Sequence, residues 1–457
     1  MLLRKACTLA WPLLSIALTV GTALAQQPKV TPDLQAKIAD IVAPYVAAGD
    51  FQGVVAVQID GQEPLISPHG LASVELGVPH RSADIFMIGS ISKHFTAAAI
   101  LLLEEDGALL TDDPVSRHLP GFPHGDSISI EQLLTHTSGV ADIYSLERFG
   151  RTAGQQGTFE EVIEALGEMP LTHAPGSTFL YSNGGYALLA AIIAQASGTS
   201  YGEFLAERIF APLGMLSTAD TGPEVAVKGR VPGYDPWGTV AVTPVMPISW
   251  AYMAGSGSLW SSAADLLTWT SALHDGRVLN EISYEKFTRD HGYGYGLGVS
   301  VFTRFGREVV GHDGRVAGYA SDLARYVDDG VTIAILSNVQ SVARDEIRRL
   351  VAAALFGEPY DIPVQRAFLE VSPVPVDEMV GVYSFGPGFL VSISESDGRL
   401  LARANEGGYS ELIPVSETEW FSRMLYATVR FGRDEAGFVD RLIWGLGDQA
   451  PVGERVQ

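Results

Sequence analysis

The chain has 457 residues, 47% hydrophobic and 18% charged, enough for a sizeable core and a second module and too apolar for a disordered chain. Its formal net charge is −23, with the acidic residues scattered rather than gathered in blocks. Such a surface repels nucleic acid and anionic lipid headgroups, so nucleic-acid and membrane-surface roles are disfavoured on electrostatics alone.

Residues 1–25 read as an export signal: Arg4 and Lys5, an apolar run from Trp11 to Val20, then the small-x-small end Ala23-Leu24-Ala25. The alternative is an anchor helix that stays uncleaved. Cys7, the only cysteine, lies inside this segment, and Lys5-Ala6 before it make a poor lipid-attachment site. A mature chain would then hold no disulfide, thiol nucleophile or cysteine–metal site. No later stretch is apolar enough to span a bilayer, so the expected destination is the periplasm or the exterior, with no integral membrane span after cleavage.

Past the signal, Val54–Ile59 alternates as a strand, Asp60-Gly61 turns it, and Leu65–Leu71 returns. A helix is predicted from about Ser90 to Asp106, closed by Gly107. The middle is mostly helical, with helices predicted over Tyr186–Ala196, Tyr201–Ile209 (ending before Pro212) and Ala263–His274. Strands return at Val309–Gly311, Ala320–Val327 and Val331–Leu336, the last two joined by Asp329-Gly330, and Ala343–Leu355 reads as a helix. Hairpin-joined strands at both ends with helices between imply an α+β domain with an antiparallel sheet. Prolines then recur from Pro359 to Pro375, and only short strands follow: Gly381–Phe385, Phe389–Ser394, Leu400–Ala404, Leu412–Val415, Thr428–Phe431 and Phe438–Trp444. The expected organisation is a domain over 26–365, a linker over 366–375 and an all-β barrel or sandwich over 376–457.

Ser90-Ile91-Ser92-Lys93 is the sharpest local feature. On a helix, positions i and i+3 share a face, and the apolar turns after Phe95 would bury the lysine. Desolvation lowers an ammonium pKa towards the neutral amine that a general base needs, so Lys93 could activate Ser90 as a nucleophile. The tetrapeptide is weak evidence alone, since Ser283-Tyr284-Glu285-Lys286 matches it on an apparently polar surface helix. A second decoy, Gly198-Thr199-Ser200-Tyr201-Gly202, fits a nucleophile elbow but lies between two helices, where Ser200 and Glu203 suit a capping box.

Two further groups supply what the pair lacks. Tyr181 and Asn183 lie where an extended stretch enters a helix through Gly184-Gly185; a phenol beside an ammonium would have a lowered pKa, and an amide can hold a substrate carbonyl. Read blandly, Tyr181 is core and Asn183 an N-cap. Gly311-His312-Asp313-Gly314 opens the late strands, and its glycines permit close approach of a peptide-like substrate added in β fashion.

Ser90-x-x-Lys93, Tyr181-x-Asn183 and His312-x-Gly314, in this order and spacing, resemble the serine β-lactamase and penicillin-binding superfamily. The likeness is closest to class C β-lactamases, D-alanyl-D-alanine carboxypeptidases, D-aminopeptidases and the esterases of that fold. Leu133–Gly139, Pro212–Met215 and Gly255–Leu259 support it, and the match covers about residues 35 to 355. The resemblance implies Ser90 as the acylated nucleophile, Lys93 and Tyr181 as the proton-transferring pair, and Asn183 as binder of the substrate amide. It also implies an oxyanion hole from the backbone N–H groups of Ser90 and Arg315, beside His312 and Gly314. His312 stands where β-lactamases carry a lysine, which weakens a claim to β-lactam turnover because a ligand carboxylate has less to hold it. The terminal strands resemble the lipocalin-like barrel appended to some of these peptidases.

The expected activity is cleavage of amides or D-residue peptides, or of small esters. A β-lactamase or carboxylesterase, and a catalytically idle sensor or scaffold, are the alternatives. No metal or cofactor is expected: the ten histidines form no H-E-x-x-H cluster, His118, His124 and His136 read as loop and surface residues, and no dinucleotide or Walker loop occurs. The expected partner is a small-molecule or peptide substrate; oligomeric state is left open.

Overall fold

A computed structural model describes residues 28–143, 157–222, 225–246, 248–364, 366–386, 389–405, 408–445 and 450–457; the expected export signal lies outside them. The first element, helix α1 (Pro32–Ala47), was not anticipated; Thr31 caps it, and it buries Leu34, Ile38, Ile41, Val42 and Tyr45. Strands β1 (Gly53–Ile59) and β2 (Leu65–His69) form the expected hairpin. The second strand stops two residues early, at left-handed Gly70, where a side chain would collide with Gln52.

Helices α2 (Ser92–Glu105) and α3 (Asn183–Ser197) follow. The helix begun at Tyr201 does not end before Pro212. Its α-helical turn passes into a π-helical stretch, Ala206–Phe210, and continues through Ala211–Leu213. A small hairpin, β3 (Tyr234–Trp237) and β4 (Ala241–Pro244), precedes helix α4 (Ala263–His274). Strands β5 (Ser300–Arg304), β6 (Arg307–Val316), β7 (Tyr319–Tyr326) and β8 (Val331–Ser337) then lead into helix α5 (Ala343–Phe356).

One antiparallel sheet unites the two ends of the first domain in the order β5-β6-β7-β8-β1-β2, with Gly53 opposite Ser337 and Ile59 opposite Val331. The two-residue period sorts its side chains between two layers. Val55, Val57, Ile59, Ile333 and Ile335 pack under α1 and α5, while Val54, Ala56, Ala334 and Leu336 face the layer that contains α2, α3 and α4. The α+β expectation holds.

The C-terminal strands close into an eight-stranded antiparallel barrel: β9 (Gly381–Ser384), β10 (Leu390–Ser396), β11 (Arg399–Ala404), β12 (Tyr409–Pro414), β13 (Glu419–Ser422), β14 (Ala427–Arg433), β15 (Val439–Trp444) and β16 (Val452–Arg455). Asp397 and Gly398 both take positive φ, as a two-residue hairpin turn requires. Tyr383, Val391, Ile393, Leu400, Leu412, Trp420, Val429 and Leu442 fill the interior, so this barrel is a packed core. Arg423, between β13 and β14, plugs it into the first domain. The guanidinium bonds Asp50 at 2.6 Å and donates to the carbonyls of Ala48, Trp237, Gly238 and Ala241.

Candidate active site

Ser90 lies in one 3-10 turn, Gly89–Ile91, that leads into α2 rather than in the helix proper. Gly89 is left-handed at φ 51°, and a Cβ there would come within 2.7 Å of the Arg315 backbone nitrogen. Glycine is therefore required twice, for the turn and for the approach of β6. Every α2 residue from Ser92 to Leu103 is buried, because the helix runs through the middle of the main core.

The Lys93 ammonium, 0% exposed, reaches three acceptors: Ser90 Oγ at 3.1 Å, Asn183 Oδ1 at 2.8 Å and the Ser256 carbonyl at 2.8 Å. Its Nζ also lies over the Tyr181 ring, 4.8 Å from the centroid. Burial pulls its pKa down to about 7, while Asp142 and Asp313 pull the other way. On the far side of Ser90, the Tyr181 hydroxyl donates to Oγ at 3.0 Å. Ser90 Oγ thus stands between an amine near neutrality and a phenol.

The phenol corrects the expectation of a lowered pKa. Burial raises the Tyr181 pKa well above 10, outweighing its hydrogen bond to Ser90. Tyr181 is therefore a proton-bearing donor across the ordinary pH range, and Lys93 is the group positioned to accept a proton.

Asn183 is the first residue of α3, and Ser182 is its cap, accepting from the Gly185 N–H at 3.1 Å. The Asn183 amide is held from both ends: Oδ1 accepts from Lys93 and Nδ2 donates to Asp142 at 3.1 Å, whose carboxylate also takes the Asn183 backbone N–H. Asp142 went unnoticed in the sequence, since nothing local marks it.

His312, Gly314 and Arg315 all lie on β6, which runs five residues beyond the expected Val309–Gly311 strand to Val316. β5 pairs with β6 only as far as Ser300 opposite Gly311, leaving His312–Val316 without a strand neighbour on that side among the described residues. Gly314 is where β6 meets the serine turn: a Cβ there would lie 2.0 Å from the Ile88 carbonyl and 2.2 Å from Ser321 Oγ. Gly314→Ala should therefore push the turn and strand apart. A cost of about 1–3 kcal/mol for overpacking is expected, read as a lower melting temperature together with at least a tenfold loss of hydrolysis.

His312 belongs to a chain of neutral groups whose tautomers follow from one fixed donor. The Ser182 N–H donates to His136 Nδ1 at 3.1 Å, so the His136 proton is on Nε2, 3.2 Å from the Tyr295 hydroxyl. Tyr295 then donates to His312 Nε2 at 3.0 Å, and His312 Nδ1 donates to the Asp313 carbonyl at 2.5 Å. Burial pushes the His312 pKa down to about 4 and holds His136 well below 6.5. His312 therefore offers no positive charge at neutral pH. Asp313 turns to Arg344 of α5 at 2.5 Å.

His136 and Tyr295 are the other residues missed. Far from a surface group, His136 is buried in left-handed backbone (φ 57°), its ring tilted against that of Tyr181 with centroids 4.2 Å apart. His118 is likewise buried, paired with Asp113, whereas His124 is exposed as expected. Among the described residues no three His, Cys, Asp or Glu side chains are grouped to hold a metal, and no helix is long and apolar enough to cross a membrane.

Both decoys resolve. Lys286 gives its ammonium to Glu104 at 3.0 Å, and Ser283 is buried rather than on the surface, within the helix Glu281–Thr288. Ser200 caps its helix in a full capping box with Glu203.

Residues 38–357 match the family described as Beta-lactamase. The chain is 31% identical over 418 residues to penicillin-binding protein 4* of Bacillus subtilis (strain 168), covering 84% of this chain and 91% of that protein. It is 26% identical to a D-aminopeptidase of Gluconobacter oxydans (strain 621H), over 72% of this chain and 62% of that protein. The crystal structure of a D-amino acid amidase from Ochrobactrum anthropi SV3, in complex with D-phenylalanine, superposes with a TM-score of 0.64 at 25% identity, over 71% of this chain and 99% of that one. A sheet shared by both ends of the first domain, the buried helix α2 beneath it and these relatives together place the chain in the Beta-lactamase family, as a serine hydrolase.

Proposed function

We propose that the chain is an exported hydrolase that forms an acyl-enzyme on Ser90 and cleaves amide bonds next to D-amino acids, in peptides or simple amides, with small esters as further substrates. The observation that carries this reading is Ser90 Oγ held at 3.1 Å from a Lys93 amine of pKa about 7 and at 3.0 Å from the Tyr181 hydroxyl. Neutral Lys93 takes the Oγ proton as Oγ attacks the carbonyl carbon. The new oxyanion lies between the backbone N–H groups of Ser90 and Arg315. Tyr181 gives its proton to the departing nitrogen or oxygen and is reprotonated from the Lys93 ammonium. Water then attacks the ester carbonyl and gives one proton to Lys93; the bond from Oγ to the acyl carbon breaks, that proton passes from Lys93 to Oγ, and the acid is released. Asn183 donates from Nδ2 to the substrate amide, and the substrate backbone adds along His312–Val316.

Neutral His312, together with the D-aminopeptidase and D-amino acid amidase likenesses, favours amidase over β-lactamase activity. A hydrolysis panel of D-alanine p-nitroanilide, its L-enantiomer, a D-Ala-D-Ala peptide, p-nitrophenyl butyrate and nitrocefin tests this. The D-anilide or the D-peptide should turn over at least tenfold faster than nitrocefin and the L-anilide. Faster nitrocefin hydrolysis would overturn the amidase assignment. Export is read from residues 1–25 and predicts a mature N-terminus at Gln26 in periplasm or medium.

The pH dependence has a definite sign. Lys93 must be neutral to accept a proton, so kcat/KM rises through pH 7 to a plateau. Tyr181, raised far above 10, and His312, near 4, add no fall between pH 6 and 9. A bell centred near pH 7 would contradict these protonation states.

A further inference from the structure

Resting on the Ser90 hydrolase reading, we propose that Phe179 and Tyr293 form an aromatic subsite that takes an aromatic side chain of the substrate beside the scissile bond.

Tyr293 is 66% exposed and left-handed at φ 70°, between two further left-handed residues, Gly292 and Gly294. A bulky residue in that backbone region is strained, and an exposed ring gains nothing from the core to offset it. The loop is nonetheless firmly held. Asp290 Oδ1 accepts from the N–H groups of Gly292 at 2.8 Å and Tyr295 at 3.2 Å; His291 N–H donates to the Tyr295 carbonyl and Val301 N–H to that of Gly294. A fixed backbone therefore presents the ring to solvent.

The ring continues the catalytic wall. From Tyr181, which donates to Ser90, His136 lies at 4.2 Å between centroids; Phe179 lies 5.7 Å from His136, and Tyr293 5.4 Å from Phe179. Tyr295, 5.8 Å from Phe179, bridges to Ser300, the last residue of β5 to pair with β6. The rim therefore stands where the open edge His312–Val316 begins, at one end of a substrate laid along it. The groups backing it, His136 and Tyr295, are buried and neutral, so the surface recognises a ring through its faces and edges rather than a charge.

Matched amides with phenylalanine or alanine, varied separately on the acyl and leaving sides, test the subsite. Wild type should favour the aromatic partner at least tenfold in kcat/KM on one of the two sides. Tyr293→Ala and Phe179→Ala should each cut that ratio at least fivefold, mainly through KM, while alanine substrates stay within twofold and Tyr293→Phe keeps the preference. Phe179→Leu serves if Phe179→Ala folds poorly. No aromatic preference on either side, or one that survives both alanine variants, overturns the subsite. Fluorophosphonate labelling of Ser90 separates the two readings: unlabelled wild type would overturn the hydrolase reading and the subsite with it, whereas labelling at wild-type rate in the variants confines any loss to substrate recognition.

Discussion

Lys93→Met should lower kcat by about 10²–10⁴, the range general-base catalysis contributes, and should reverse part of the pH dependence of stability. The first effect follows from the only amine within reach of Ser90 Oγ among the described residues. The second follows from linkage. Lys93 falls from 10.5 to about 7 on folding, so between these values the unfolded chain binds a proton that the folded chain has released. This burial penalty is absent above pH 10.5, grows as pH falls and is complete below about pH 7. The stability difference between variant and parent should therefore move in favour of Lys93→Met as pH is lowered from 10 to 6. The stranded Asn183 Oδ1 and Ser256 carbonyl set a pH-independent offset against the variant. Chemical denaturation at both pH values measures the difference, and a difference independent of pH would show that Lys93 is not desolvated in the folded chain.

Arg423→Ala is the second large effect, and it acts through the junction of the two domains. The residue is buried with Asp50 and donates to four carbonyls of the first domain. Its removal leaves a buried carboxylate and several acceptors without a donor, a loss of about 3–5 kcal/mol. Burial already holds the Asp50 carboxyl above its ordinary pKa despite the arginine beside it, so desolvation outweighs attraction in this pair. Breaking it should cost more than replacing it. Arg423→Met with Asp50→Leu should recover much of the stability lost in Arg423→Ala, as measured by thermal unfolding. The single variant should also split unfolding into two transitions as the barrel loosens. A single variant as stable as the parent would contradict the role of this plug.

The features legible in the sequence are those with a local cause. The α2 segment announces itself by an apolar run behind Ser90 and Lys93, β1 by its alternation and the Asp60-Gly61 turn, and β7 and β8 as short strand-like runs joined by Asp329-Gly330. Two barrel strands, β13 and β16, were missed because each has four residues and little apolar alternation; closure of the barrel forms them. Helix α1 hid behind Pro44 in its last turn. At the site, His136, Asp142 and Tyr295 escaped for a different reason. Each stands in a loop with no periodicity, and only the packing of α3 and β6 brings it to Ser90 and Lys93. The Tyr181 pKa was misjudged because the neighbouring lysine was treated as a charge, whereas burial makes it a near-neutral amine and raises the phenol as well. His312 was read as weakening a claim to β-lactam turnover, and the burial that pushes its pKa down to about 4 adds a physical argument for that reading.

The central claim is the Ser90 acyl-enzyme, and peptide mass mapping after treatment with a fluorophosphonate or a penicillin tests it most directly. Stoichiometric modification on the peptide containing Ser90, lost in Ser90→Ala and slowed in Lys93→Met, is the predicted result. No adduct on the wild type, or one that persists in Ser90→Ala, would contradict it.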